Sequence, residues 1–584
     1  MLHRARRVVS IVVMLALGIV PEIVPAPVLA LRAHALPIRT LPGGMRDLGS
    51  LRGDSPVRIG LVLRYQHANE LAALIRMQGD RRSRYYHHYL TNRQWNDYYA
   101  IDPRSYARTL ALLVGRGFRI DRTYANRSMI RAIAPAATVE RYFGTRFHAA
   151  AQPHYGVRYR NVVPARMPDE LRAVAVAFSG LDSTVHFHEP HEIVRTRPMP
   201  SLDRFVSKPQ AVSTATPGPN PSPDPTLSPA FTPEKDVVAN GGYGPAIWAD
   251  AYDFPVQHGY GGRGQAVGSV INGDFQDSDT AAENAYYGVP RTGGQYRVYT
   301  DGFFAATEQD EAALDAEVLE TMAPASDFYE YITQYFDELG VEGAYAQAIS
   351  DNAVSVLNSS FGTCETEDPS FEYSTNYLAM QGVAKGITFV ASAGDTGSLA
   401  CGIFIMNGLT GTSIGVEVPC ADTYVVCVGG TEFEPTVSGV TYTGEMAWTA
   451  GGGGVSVLES VPDWQSGTPN IVASGRNVPD LALTADMLPP GVGFVATIGG
   501  EIAAAGGTSV ASPMFVAMQA EIDQVQNTRN GFVTPRLYLV GNGAEKFAFH
   551  DVILGTNGTY TARAGYDNTT GFGSPLGFEL AGAE

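Results

Sequence analysis

From about residue 240 onward, short apolar runs alternate with segments of helical periodicity, and this alternation constrains the fold more than any other feature of the chain. Gln265–Ile271, Val354–Leu357, Ile387–Ala391, Tyr424–Val428 and Gly493–Ile498 read as buried strands. Helices are expected at Glu308–Met322, Glu330–Leu339, Ala344–Ser350, Ser374–Val383 and Pro513–Val525. Strands that are apolar throughout need cover on both faces, and helices between them supply it, so a parallel α/β sheet is predicted. In such a sheet the reactive groups belong at the carboxyl ends of the strands.

A chain of 584 residues exceeds one core. Residues 56–183 read as a separate α+β domain. Strands are expected at Val57–Leu63, Ser128–Ile133 and Val157–Val163, and helices at Glu70–Met77, Ser105–Arg116 and Ala137–Phe143, giving a sheet covered on one face. Here His87 and His88 adjoin in YYHHYLT; neighbours in a strand face opposite ways, which favours a structural or pH-sensing role over a metal site. Prolines from Pro200 to Pro233 punctuate a Ser/Thr-rich linker, extended and open to proteases. The organisation expected is a signal peptide over 1–35, a prodomain over 36–185, a linker with the activation site over 186–235 and a catalytic domain over 236–584.

Arg4, Arg6 and Arg7 precede the apolar run Val8–Val20, with small residues following at Ala30, Ala33 and Ala35. This is the pattern of a secretory signal, too short to span a bilayer. Export permits disulfides. Cys364, Cys401, Cys420 and Cys427 allow three pairings and show no metal-ligand spacing; Cys364–Cys401 with Cys420–Cys427 is the expected set. Charge is divided unevenly. Residues 36–200 hold 25 Arg, no Lys and 13 acidic groups, whereas residues 201–584 hold 12 basic and 45 acidic groups. Two bodies of opposite sign attract each other, and the attraction fades as carboxylates protonate. Export argues against nucleic acid as the partner of the basic part.

Gly506-Gly507-Thr508-Ser509-Val510-Ala511-Ser512-Pro513 places a serine where a tight glycine turn enters a helix, beside N–H groups that can hold an oxyanion. A serine hydroxyl needs a base. Only His258 and His550 lie beyond the linker; neither begins a helix or has an evident carboxylate to orient it, so a Ser-His-Asp arrangement is disfavoured. The better candidates are Glu311 and Asp315, four apart and therefore on one helix face, where one can take the serine proton and the other can tune it. A third carboxylate, Asp395, ends an apolar strand in Ser392-Ala393-Gly394-Asp395-Thr396-Gly397.

Together, EAALDAE, SAGDTG and GGTSVASP resemble the sedolisins, or serine-carboxyl peptidases, with Gly506 where the family often has serine. Asn358–Gly362, Ala447-Trp448 with Gly451–Gly454, and Val461–Gln465 resemble further family segments, and the N-terminal domain resembles the family propeptide. The resemblance implies a subtilisin-like catalytic domain behind a ferredoxin-like prodomain that inhibits and chaperones it. It further implies Ser509 as nucleophile, Glu311 as general base and then acid, Asp315 as its partner, and a protonated Asp395 donating to the oxyanion with the Ser509 N–H. It also implies one structural Ca²⁺ held by the carboxylates of Asp551 and Asp567 and the carbonyls of Val552, Arg563 and Gly565, with Arg563 replacing a frequent glycine.

The expected function is therefore a secreted, acid-active endopeptidase made as a zymogen, acting on proteins or peptides. From unperturbed carboxyl values, activity is expected at roughly pH 3–5. A tripeptidyl-peptidase of the same family, an inactive binding protein on the same fold and a Ser-His hydrolase are the alternatives. Sequons at Asn126, Asn358, Asn557 and Asn568 matter only in a glycosylating host.

Overall fold

In the C-terminal half, strands are laid down in the order expected of a parallel sheet with crossover helices. The computed structural model describes residues 45–152, 156–184, 187–198, 222–227, 243–302, 309–402, 411–433, 442–487 and 493–583. The expected signal peptide and most of the proline-rich linker lie outside these residues. Everything described belongs to one unit, Ala33–Glu584.

The central sheet runs Gln295–Tyr299, Asp327–Ile332, Ala266–Ile271, Val356–Ser359, Thr388–Ser392, Val425–Phe433, with Leu481–Thr484 and Glu445–Ala447 both pairing with the last of these. All its ladders are parallel except that to Glu445–Ala447. Alternate residues of each strand feed two cores. Val267, Ile271, Val356 and Val390 pack against the helices Asp310–Met322 and Thr508–Val525. Val270, Leu357, Phe389 and Ala391 pack against Glu338–Asp351 and Pro369–Ala384.

Glu330–Leu339, read as helix, is the strand Asp327–Ile332 followed by a loop, and the helix starts at Glu338. Glu330 lies buried in that strand beside Arg297, so its polarity marks an internal charge pair and not a solvent-facing turn. Phe494–Ile498 is a strand as read, but it lies outside the central sheet, pairing antiparallel with Glu501–Gly506.

The N-terminal domain is α+β. Its four-stranded antiparallel sheet runs Arg119–Thr123, Met129–Pro135, Pro56–Leu63, Ala175–Ser179. Period-2 alternation along Pro56–Leu63 sends Val57, Ile59, Leu61 and Leu63 into this domain's own core with Leu113, Val139 and Phe143. Val62 faces the other way, into a core shared with Leu339, Phe371 and Leu378 of the catalytic half. The sheet is thus covered on both faces, the second cover coming from the catalytic domain.

The charge division reappears at this contact. Arg131 Nη2 meets Asp301 Oδ1 at 2.5 Å with both side chains buried, and Arg58 Nη2 meets Asp337 Oδ2 at 2.6 Å. The Ser179 hydroxyl donates to Glu342, and the Gly180 N–H donates to Glu338 Oε2 at 3.1 Å. YYHHYLT is a turn, not a strand, and His87 takes a left-handed conformation there, stacked on Tyr86. Burial, together with Arg536 and Arg81, pushes the His87 imidazole down to about 4, which suits a neutral packing role.

Both expected disulfides form, Cys364–Cys401 and Cys420–Cys427. Asn126, Asn358, Asn557 and Asn568 are each at most 5% exposed, so in the folded chain none is presented to a glycosylating enzyme.

Candidate active site

Ser509 is the second residue of the helix Thr508–Val525, and Pro513, expected in the first turn, lies inside the helix. Proline has no N–H to return to the carbonyl four residues back. That carbonyl, of Ser509, has the Ser360 Oγ 3.4 Å away, a hydroxyl whose closer acceptor is Asp315 at 2.7 Å. Ahead of the helix, Gly507 sits at φ 117°, and a β-carbon there would come within 2.2 Å of the Pro190 oxygen and 2.6 Å of Asp395 Oδ2. Only glycine lets the chain pass at this point.

Asp395 follows the strand Thr388–Ser392. Its Oδ1 accepts both the N–H and the hydroxyl of Thr508, each at 2.8 Å, leaving Oδ2 facing the space beside Gly507. Burial raises this carboxyl to about 8, against the pull of Thr508, so through the acid range it carries a proton it can donate. The glycine run after Trp448 seats this turn. Gly452 donates to the Gly394 carbonyl at 2.7 Å, and a β-carbon on Gly452 would fall 1.9 Å from the Ala393 oxygen.

Glu311 and Asp315 lie on the helix Asp310–Met322, which is buried from Glu311 to Met322. Asp315 accepts from Ser360 Oγ at 2.7 Å and Ser269 Oγ at 2.5 Å. Burial and then the charge of Glu311 push Asp315 well above the usual carboxylate range. Glu311 is wholly buried, and its Oε2 is paired with His191 Nδ1.

That imidazole was not foreseen. The linker was expected to be open from His186, yet residues 187–198 enter the cleft. His188 and Gly362 exchange two backbone hydrogen bonds, at 3.1 and 3.0 Å. The Ser509 N–H donates to the Pro190 carbonyl at 3.1 Å. Glu192–Pro198 then pairs antiparallel with Glu501–Gly506. His188 Nε2 contacts Glu417 Oε1 at 2.7 Å, and that carboxylate is buried between Gly362 and Gly394. Burial opposes charge on His191, but Glu311 outweighs it and raises the imidazole to about 9. The neighbouring Glu189 is pushed up to about 8 by burial and by Glu311.

Among the described residues Glu311 makes no hydrogen bond to Ser509. The Ser509 hydroxyl faces the Ser360 carbonyl at 3.4 Å, and the carboxylate is occupied by His191. The structure thus brings the tail, Ser509 and Asp395 around one space, with Glu311 and Asp315 reached through His191 and Ser360. The remaining histidines stand apart. His258 does have an orienting carboxylate, Asp253 at 2.8 Å, but its segment packs beside Glu521, about three helical turns beyond Ser509. His550 stacks on Tyr442.

The suggested calcium residues cluster at the C-terminus. Asp551 accepts the Gly565 N–H at 3.0 Å, and Asp567 accepts the N–H groups of Arg563, Thr569 and Thr570 at 2.8–2.9 Å. Among the described residues the carbonyls of Val552, Arg563 and Gly565 accept no hydrogen bond, whereas those of Ala564 and Tyr566 are taken by Asn470. Two carboxylates and three uncommitted carbonyls make a hard-oxygen set that fits Ca²⁺.

Residues 43–184 match the pro-kumamolisin activation domain, and residues 305–573 match the subtilase family. An activation domain docked on a subtilisin-like sheet, with its tail laid across the helix that carries the serine, defines the precursor of a subtilase-fold peptidase. Kumamolisin of Bacillus sp. (strain MN-32) is 28% identical over 567 residues, covering 91% of this chain and 92% of that protein. Sedolisin of Pseudomonas sp. (strain 101) is 28% identical over 517 residues, covering 83% and 80%. The solved structure of Pseudomonas sedolisin complexed with pseudo-iodotyrostatin superposes with a TM-score of 0.52 at 27% identity, covering 58% of this chain and 97% of that one. Tripeptidyl-peptidase 1 of Rattus norvegicus matches over 222 residues at 27% identity, covering 34% and 37%. The chain belongs to the sedolisin family of serine-carboxyl peptidases and includes the family's propeptide.

Proposed function

We propose that the chain is the zymogen of a secreted, acid-active endopeptidase in which Ser509 is the nucleophile and Glu311 its general base. The observation that carries this reading is the Pro190 carbonyl oxygen at the Ser509 N–H, with the Asp395 carboxyl facing the same space. A carbonyl so placed is polarised for attack, and the same two donors stabilise the oxyanion that follows.

Ser509 Oγ adds to the carbonyl carbon while Glu311 takes the hydroxyl proton. The C–N bond then breaks as Glu311 returns that proton to the leaving amine. Water attacks the acyl-enzyme by the same route in reverse, and Asp315 tunes Glu311 throughout. In the precursor the bond presented is Pro190–His191, which falls within the 186–235 segment assigned to activation. The tail crosses the cleft on both sides of that bond, as a long peptide would, which favours an endopeptidase over a tripeptidyl-peptidase.

Export rests on the Met1–Ala35 pattern; among the described residues no helix is long and apolar enough to cross a membrane. When bound, Ca²⁺ would tie the segment around Asp551 to that around Asp567. Ser509→Ala is expected to arrest both processing and hydrolysis. Equal cleavage of N-terminally blocked and free peptides supports the endopeptidase, and a strict need for a free amine supports the alternative.

A further inference from the structure

Asp315 is fixed by a chain of buried polar groups that starts one turn beyond the nucleophile. The Ser512 hydroxyl donates to Asn358 Oδ1 at 2.7 Å. With its oxygen committed, the Asn358 amide turns Nδ2 toward Ser360 Oγ at 2.8 Å and Ser269 Oγ at 3.3 Å. A hydroxyl that accepts from an amide still has its own hydrogen to give. Both hydroxyls give it to Asp315, Ser360 to Oδ1 and Ser269 to Oδ2. All five residues are at most 1% exposed. The strand register holds the arrangement, since Asn358 and Ser269 are direct partners in the parallel ladder.

We propose that Asn358, oriented by Ser512, is a positioning residue for the acid–base pair, turning the Ser269 and Ser360 hydroxyls toward Asp315. The polarity is decisive. Were the amide reversed, its oxygen would draw both hydroxyl hydrogens and Asp315 would lose its donors. This inference rests on the reading of Glu311 and Asp315 as the acid–base pair.

The charged groups facing Asp315 are Glu311 on its own helix and Glu330 from the strand Asp327–Ile332, with Arg297 beyond. In the precursor, His191 and Glu189 lie on the far side of Glu311. Every carboxylate here disfavours a second negative charge, and Ser269, Ser360 and Asn358 oppose that by stabilising the Asp315 anion. Without them the pair holds its proton to higher pH, and the acid limb of the rate profile moves up.

The test uses the full-length chain, processed in acid, with active sites counted by titration. Ser512→Ala and Asn358→Ala are expected to lower kcat about tenfold or more, the worth of hydrogen bonds to a charged group. KM should stay within about twofold while the acid limb shifts upward, and Ser512→Thr, which keeps the hydroxyl, should restore the wild-type profile. Folded, titratable variants with the wild-type kcat and acid limb would overturn the proposal. So would a loss equal at every pH that Ser512→Thr does not rescue, since that marks a structural role. If Ser509→Ala or Glu311→Gln remains active, the functional reading has failed; if both are inactive and the Asn358 and Ser512 variants are normal, only this inference has.

Discussion

His191 Nδ1 is paired with Glu311 Oε2, so the proposed general base is held by a residue of the tail that lies across the cleft. The imidazole is raised to about 9 in this pair, above its ordinary value. A group raised on binding contributes fully below its ordinary value and loses the contribution as pH rises through about 9. The imidazole is therefore charged, and the latch held, at neutral pH and below. His191→Ala should raise the processing rate at pH 7 about tenfold, followed by gel mobility and N-terminal sequencing. A rate unchanged from wild type would show that His191 restrains nothing.

Asp395 should be replaceable by asparagine but not by alanine. Its carboxyl, raised to about 8, acts as a neutral donor, and an amide can accept from Thr508 while donating from nitrogen. Asp395→Ala is expected to cost about 10²- to 10³-fold in kcat. Asp395→Asn should retain much more and extend activity past the pH at which wild type loses its proton. Equal losses in the two variants would contradict the donor role.

Docking of the prodomain should depend on Asp301. Burial raises this carboxyl and Arg131 lowers it, with a net fall below the usual value. A depressed carboxylate contributes above its ordinary value and loses that contribution as pH falls through the lower one. Glu342 runs the other way: burial lifts it to about 8, and it is already protonated when docked at neutral pH. Acid release is thus expected only at the lower end of the carboxylate range. Asp301→Asn, which leaves the buried Arg131 only the more distant Asp121, at 3.8 Å, as counter-charge, should weaken the cleaved complex at pH 7 by about 1.5–3 kcal/mol. The check is the affinity of separated prodomain for the mature domain against pH.

Removing calcium should lower the melting temperature of the mature enzyme by about 5–10 °C at saturating starting metal. Asp551→Asn should melt at the lower temperature from the outset and respond little to chelator. A chelator effect of equal size in that variant would place the ion elsewhere.

The catalytic sheet was legible because apolar runs such as Ile387–Ala391 are buried on both faces and have few other uses. Glu330–Leu339 was misread because strand periodicity is hidden when an internal position carries a carboxylate paired to Arg297. Ser509, Glu311, Asp315 and Asp395 stood out through local motifs. His191 did not, because its significance depends on where the tail lies and not on its neighbours in sequence. The one available signal was His188-Glu189-Pro190-His191 followed by the strand-like run Ile193–Arg197, ahead of the proline-rich stretch. Asn358 and Ser512 lie in motifs, but their link to each other and to Ser269 was not legible for the same reason, being made only by strand register and helix packing.

The most direct measurement is kcat/KM against pH, from about 2 to 8, on a blocked peptide for wild type and Glu311→Gln. A wild-type maximum at roughly pH 3–5 is expected, with the variant reduced about a thousandfold or more at every pH. A Glu311→Gln enzyme within tenfold of wild type, or a neutral optimum abolished by His258→Ala or His550→Ala, would contradict the proposed mechanism.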